Sequence, residues 1–205
     1  EIMPSLVGSE MCIRDSVYLA QNISDLSMTK ALKLLYIIDE TSMKESGVPV
    51  TWLEYKVWEK GPVAQEIYDE IRDDVLGNNK NISLHKYIGI KTAKNPVNST
   101  CADARYIKAK RSFDDSEFTD YEMSLIEGIV AKYKSYTVQQ LIDLLHTDNS
   151  LWSQQVKKNK LDFKLQGGRS NYSIPLNDLL KSKEEKQQVY MSAYESLLFE
   201  ESIAK

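Results

Sequence analysis

The 205 residues contain two histidines, His85 and His146, and two cysteines, Cys12 and Cys101, for imidazole or thiolate chemistry. Two imidazoles cannot make a three-histidine metal site, and the cysteines form no CxxC pair and stand in unlike stretches of sequence. Neither a metal site nor a disulfide is expected. The carboxylate pairs Asp69/Asp73 and Asp114/Asp115 have the residue type for general acid–base work. One lies on an expected solvent face and the other in a turn, where carboxylates are ordinarily hydrated surface charge. The nucleophile elbow, the phosphate-binding loop, the zincin helix and the dinucleotide fingerprint are all absent. No catalytic residue and no cofactor is expected, and the chain reads as a protein that works by contact.

The stretch best suited to contact runs from Met28 to Ile71. In MTKALKLLYIIDE, Ala31, Leu34, Leu35 and Ile38 follow the i, i+3, i+4, i+7 rule, and Leu32, Tyr36 and Ile37 widen the stripe. The spacing predicts a central helix from Met28 to about Met43, capped by Ser27, with only Lys30, Lys33, Asp39 and Glu40 needing water. Gly47 and Pro49 end it. The following VTWLEYKVW fits either a short strand or a single helical turn. In VWEKGPVAQEIYDEI, proline is favoured at the first helical position and glycine can supply the turn before it. A helix is therefore expected from Pro62 to about Leu76, with Val63, Ile67, Tyr68, Ile71 and Val75 on one face and GNNKN closing it.

Residues 86–92, KYIGIKT, and 104–110, ARYIKAK, alternate at the strand period and read as an antiparallel pair. The eleven residues from Ala93 to Asp103 would form a long tip, making the pair a candidate wing. Thr119 with Glu122 and Thr137 with Gln140 match the capping box, so two helices start there. The first, to about Tyr133, should bury Met123, Ile126, Ile129 and Val130; the second, to about His146, Val138, Leu141, Ile142 and Leu145. Ser150 caps a short helix through Trp152 and Val156. Beyond Gly167-Gly168, Pro175 starts a turn, and Ser182 with Glu185 is read as the cap of a last helix to about Glu201. The fold class is mainly α: a compact helical domain with a small antiparallel β-element.

Hydrophobic residues make up 42% and charged residues 27%, which is ordinary globular usage and argues against a disordered chain. No stretch approaches the ~20 apolar residues that span a bilayer, so a cytoplasmic location without membrane partners is expected. The net charge of −4 gives no general attraction to nucleic acid. Local basic strips exist at Lys91, Lys94, Arg105, Lys108, Lys110 and Arg111, and at Lys157, Lys158, Lys160 and Lys164; scattered lysines of this kind ordinarily form a solvated face. Residues 1–16, EIMPSLVGSEMCIRDS, resemble a translated sequencing-adapter tail and are set apart from the fold. Cys101 would then be the one native cysteine, and VYLAQNI (17–23) the end of a helix whose native start is missing. The main domain is expected over 17–160, with 161–205 an extension whose final helix packs on the same domain.

Trp52, Trp58, Trp152, Tyr36, Tyr55 and Tyr68 are either core or platform, because large aromatics serve both cores and interfaces. Trp58 and Tyr55, beside the Gly-Pro pair, are the candidates for exposure. Lys56 and Lys60 flank them, but Glu54 and Glu59 offset that charge. His146 ends an apolar helix six residues before Trp152. It is either a contact or proton-sensitive element, or a histidine that hydrogen-bonds the last helix carbonyls and favours the negative helix end.

In order and spacing, LKLLYIID, VWEKGPVAQEIYDEI and FTDYEMSLIEGIVAKYKSYTVQQLIDLLHTDNSLW resemble the SocA-like antitoxin, or Panacea, domain, over roughly Leu26 to Trp152. The matching positions are Lys33, Leu34, Leu35 and Tyr36; Trp58, Gly61, Pro62, Val63 and Tyr68; and His146 and Trp152. Val57 stands where the family often has alanine, and Ala31 where many members have a polar residue. The resemblance implies a mostly helical domain with a small β element, without a catalytic centre or cofactor, which binds and neutralises a cognate toxin protein of a bacterial or phage toxin–antitoxin system. Some relatives are similar to protease adaptors, so a protease is a second partner to consider. The candidate partner-binding residues are Tyr55, Trp58, Gly61, Pro62, Val63, Tyr68, His146 and Trp152.

Two classes of function stay open. One is a binding module that presents an apolar and aromatic patch with a polar rim around Trp58 to Tyr68. The other is a DNA-binding transcriptional regulator that uses the β-pair as a wing, supported by the basic residues from Lys91 to Arg111.

Overall fold

Ser27 starts the helix on which the molecule is organised. In a computed structural model describing residues 7–75, 86–93, 104–116 and 118–203, its hydroxyl accepts from the Lys30 amide at 3.2 Å. That bond satisfies one of the donors left free at a helix start. Helix α2 then spans Met28–Glu45 and is buried at Ala31, Leu32, Leu34, Leu35, Tyr36, Ile37 and Ile38. A helix apolar around most of its girth has to be surrounded. Around it pack α1 (Val7–Asn22), strand β2 (Gly61–Ala64), the later helices α4 (Asp120–Tyr133) and α5 (Val138–Leu145), and a 3-10 turn, Leu176–Leu180. Gly47 follows the helix at φ +90, and a Cβ there would meet the Lys186 carbonyl oxygen at 2.9 Å.

The charged residues of α2 depart from expectation. Lys33 and Asp39 are 1% and 0% exposed, and Lys30 is buried as well. Each has found partners from distant segments in place of water. Lys30 donates at 2.7 Å to the carbonyls of Lys134 and Tyr136, where the end of α4 presents unpaired acceptors. Asp39 accepts from the Thr51 amide at 2.8 Å, from the Thr51 hydroxyl, and from the Tyr55 hydroxyl at 2.7 Å.

The larger correction concerns Gly61-Pro62. Instead of starting a helix, these residues belong to β2, which pairs antiparallel with β1 (Tyr55–Trp58), and helix α3 begins later, spanning Gln65–Val75. The YKVW end of VTWLEYKVW thus resolves as a strand. The register Trp58↔Gly61, Val57↔Pro62, Lys56↔Val63 makes a two-residue hairpin. Alternate pairs in such a ladder point their backbone groups away from each other. Val57 turns its amide outward to the Tyr172 carbonyl at 2.9 Å, so its partner Pro62 has no donor to supply. The proline is tolerated because its missing N–H faces away from β1.

A second antiparallel pair, β3 (Ile88–Ala93) and β4 (Ala104–Ala109), lies where alternation placed it. Its core face carries Ile88 and Ile107, and the Ile107 amide donates to the Leu26 carbonyl at 2.8 Å. The tip at 94–103, the GNNKN segment, His85 and Cys101 lie outside the described residues. Among the described residues the fold is mainly α with two small two-stranded sheets.

Both expected capping boxes are present, opening α4 at Thr119 and α5 at Thr137. Helix α4 buries Leu125, Ile126, Ile129, Val130 and Tyr133, and α5 buries Leu141, Ile142 and Leu145; Met123 and Val138 are only half-buried. Ser150 caps α6 (Leu151–Lys158). The last helix, α7, spans Glu184–Ile203, so Ser182 stands two residues before its first helical residue and is not its cap. Lys186 ties α7 to the body by donating to the Lys44 and Glu45 carbonyls at 2.6 and 2.8 Å, while Trp52 stacks on Tyr190 and Tyr194. Helix α1 also differs from expectation, because it continues back from Asn22 to Val7 through sequence that shows no helical period.

Candidate functional site

The backbone of the β1–β2 hairpin collects residues that lie far apart in sequence. On one side, the Pro62 carbonyl that points away from β1 accepts from Lys33 Nζ at 2.6 Å. Burial, with the charge of Lys60 adding to it, lowers the Lys33 ammonium to a pKa of about 7. Beside it, Gly61 adopts φ +99, and a Cβ built there would lie 3.2 Å from His146 Nε2 and 3.3 Å from Lys33 Nζ. Only glycine fits, both for its backbone conformation and for the space. Gly61 therefore fixes how closely helices α2 and α5 approach the turn.

His146 closes α5, its amide donating to the Ile142 carbonyl at 3.0 Å. Its ring does not reach back to the helix carbonyls. It lies flat on Trp152, with centroids 3.7 Å apart and planes 4° from parallel, and its buried Nε2 has no hydrogen-bond partner. Burial and the neighbouring Lys33 charge push its pKa down to about 4, so the ring is neutral at pH 7. A neutral ring makes no cationic contribution at the helix end. Trp152 in turn donates its Nε1–H to the Trp58 carbonyl at 2.8 Å, which locks α6 to the hairpin.

Seven of the eight sequence candidates are thus gathered on or against one hairpin: Trp58, Gly61, Pro62 and Val63 within it, with Tyr68, His146 and Trp152 packed around it. Tyr55 is on β1 too, but its hydroxyl goes to the Asp39 network and its ring packs edge-on to Tyr36 at 5.0 Å. Burial alone raises the Asp39 carboxyl to a pKa of about 6, against the lowering effect of the Thr51 and Tyr55 bonds. The expected exposure of Trp58 and Tyr55 is not found: they are 8% and 1% exposed. Tyr55 is buried against α2, and at Trp58 the reason is a segment whose polar, glycine-containing sequence gives no sign of it. Residues 168–174 run along the free edge of β1, where the amides of Val57 and Glu59 donate to the Tyr172 and Gly168 carbonyls at 2.9 Å, and the Ile174 amide to Tyr55 at 2.7 Å. The Ser170 hydroxyl completes this edge by donating to the Val57 carbonyl at 2.6 Å.

Sequence reasoning also missed Arg169. Its guanidinium lies 4.5 Å from the Trp58 ring centroid and 5.0 Å from that of Tyr68, and it donates to the Tyr68 hydroxyl at 2.9 Å. The Trp58 and Tyr68 rings meet edge to face at 4.8 Å, so Arg169 is the exposed lid of an aromatic pair. No nearby spacing in the sequence signals that contact. Asp69 pairs with Arg72 at 2.9 Å and Asp114 and Asp115 are exposed, as surface charges would be. Among the described residues no cluster of three metal-binding side chains occurs, and no helix is long and apolar enough to cross a membrane.

A mainly helical domain whose scattered motif residues converge on a buried β-hairpin is the class that the fold and site define. The family model for the antitoxin SocA-like, Panacea domain matches residues 32–153, and the chain belongs to that family. The match starts inside α2 and ends in α6, so it includes Lys33, the hairpin, His146 and Trp152 but not the segment carrying Arg169. No curated protein and no solved structure matches the chain. Family membership supports an antitoxin role in general terms, and with it a partner protein.

Proposed function

We propose that this chain neutralises a cognate toxin protein in the cytoplasm by binding it, without catalysis, and that the contact is centred on the surface above the β1–β2 hairpin. The observation that carries the reading is the exposed Arg169 lid on Trp58 and Tyr68, placed where the family's motif residues converge. Around it, Tyr68, Trp152 and Phe163 are half-buried, and Tyr172 and Leu165 are 49% and 86% exposed. Arginine, tyrosine and tryptophan are the residues that most often anchor protein interfaces. Trp58, Gly61, Pro62 and Val63 serve beneath that surface as its rigid floor.

Co-expression with the toxin encoded beside this chain tests the proposal. The neighbour should be toxic alone and harmless with the wild-type chain. Leu165→Ala and Tyr172→Ala, both at exposed positions, should weaken rescue while leaving Tm unchanged. A neighbour that is harmless alone, or still toxic beside the wild-type chain, sinks the reading. Toxin that stays at its full cellular level during rescue supports occlusion; toxin that disappears points to delivery to a protease, as in some relatives.

A further inference from the structure

We propose that the outer face of the β3–β4 ribbon is a second binding surface, which takes the phosphate backbone of duplex DNA. Cross-strand partners share a face, so the register Gly89↔Lys108 and Lys91↔Tyr106 places these four residues together on one side. The opposite side carries Ile88 and Ile107, 1% and 2% exposed, and packs on the core. Lys91 and Lys108 are exposed. Just past the end of β4, the Lys110 amide donates to the Tyr87 carbonyl at 2.7 Å, and the exposed Lys110 side chain lies on the face of Lys108. The Lys110 chain crosses Gly89, where a Cβ would meet its Cε at 3.0 Å.

The charge on this ribbon is of one sign. The strands Ile88–Ala93 and Ala104–Ala109 contain Lys91, Arg105 and Lys108 and no Asp or Glu, within a chain of net charge −4; Arg105, opposite Thr92, shares the face of Ile88 and Ile107, and Asp103 directly precedes β4 in sequence. The exposed Asp114 and Asp115 follow only after the ribbon ends. A two-stranded antiparallel ribbon fits the width of the major groove, and lysines on its solvent face can reach phosphates on either side. An acidic protein partner would match the charge, but protein interfaces draw most of their energy from buried apolar and aromatic anchors. Here the outer face offers lysines with one half-buried tyrosine, Tyr106.

The test is fluorescence anisotropy of a labelled duplex of about 30 base pairs, titrated with the full chain at two salt concentrations. With Lys91, Lys108 and Lys110 each meeting a phosphate, a slope of roughly −0.9 per contact weakens binding about 40-fold between ~50 and ~200 mM NaCl. The triple variant Lys91→Glu, Lys108→Glu, Lys110→Glu should lose binding at low salt, while Lys157→Glu with Lys158→Glu on α6 should retain affinity within about twofold. Single Lys91→Ala and Lys108→Ala changes, read by circular dichroism for folding, should each flatten the salt slope by about one. The proposal is overturned if the wild-type chain gives no binding at low salt, if the triple variant binds like wild type, or if polyglutamate competes as well as unlabelled duplex.

Discussion

Both antiparallel ribbons are two-stranded and four to six residues long, yet β1–β2 is buried at seven of its eight positions and β3–β4 at only two of its twelve. The difference does not arise in the strands. It comes from what the rest of the chain lays against them. Helix α2 covers the β2 edge through Lys33, residues 168–174 add a third edge to β1, and α6 is pinned by Trp152. The β3–β4 ribbon turns one face to the core and leaves the other to water. Every polar group of the first ribbon must find a protein partner, because an unmet one is costly when buried; Lys91 and Lys108 of the second stay exposed. Shape is therefore specified at the first ribbon, and charge is presented at the second.

The comparison breaks most sharply at a single ring. Trp58→Ala removes a side chain that is 8% exposed, held between Tyr68 and Arg169, and should destabilise the protein by about 3–5 kcal/mol in urea unfolding. On the second ribbon, Tyr106→Ala, at a half-buried outer-face position, should lower stability by less than about 1 kcal/mol. If Trp58→Ala instead left the urea midpoint unchanged and weakened toxin binding, the ring would be a surface anchor and the contrast between the ribbons would fail.

Two glycines sharpen the same contrast with a smaller change. Gly61→Ala forces a side chain onto φ +99 and against His146 and Lys33, both held in place by their own contacts. Strain and overpacking together should lower stability by about 3 kcal/mol. Gly89 shows no positive φ, and its nearest neighbour is the flexible end of Lys110, which can move aside. Gly89→Ala should change stability by no more than about 0.5 kcal/mol. Equal midpoints for the two variants would show that the hairpin turn has more freedom than its geometry allows.

Much of the fold was legible where the determinants were local. The capping boxes at Thr119 and Thr137 need only residues three apart, and the alternation in KYIGIKT and ARYIKAK needs only one half-buried strand face. The hairpin was not legible, because strands buried on both faces lose the alternating signal. Pro62 made it look helical, since the fact that its ring nitrogen faces away from β1 depends on the register with Val57 and on Tyr172, more than a hundred residues away. The motif residues were legible as a set, but Trp58 and Tyr55 were misplaced for the same reason. The segment that covers Trp58 follows the matched domain and reads as polar loop, and Tyr55 is buried by its contacts with Tyr36 and Asp39 on α2. Lys33 and Asp39 looked hydrated because charge is normally hydrated, and only the assembled core supplies Pro62, Thr51 and Tyr55 as substitutes.

The smallest expected effect isolates the buried charge that distinguishes the hairpin. Lys33 has a folded pKa of about 7 against about 10.5 in an unfolded chain, so between those values the unfolded state binds more protons. Stability should therefore rise with pH across this window, with the gain complete above 10.5 and lost as pH falls through 7. The slope approaches 1.4 kcal/mol per unit, which amounts to about 2 kcal/mol between pH 7 and 9. Asp39, near 6, and His146, near 4 when folded and about 6.5 when unfolded, together add less than about 0.3 kcal/mol above pH 7, and Lys30, whose ammonium burial also lowers, is common to the proteins compared. Lys33→Met keeps much of the side-chain volume but carries no proton, so its urea midpoint should lose that part of the rise. Lys108→Met, the same change on the exposed ribbon, should leave the profile as in wild type. If the Lys33→Met and wild-type profiles run parallel from pH 7 to 9, the amine at Pro62 is not the group whose burial is being relieved, and the electrostatic half of the comparison does not hold.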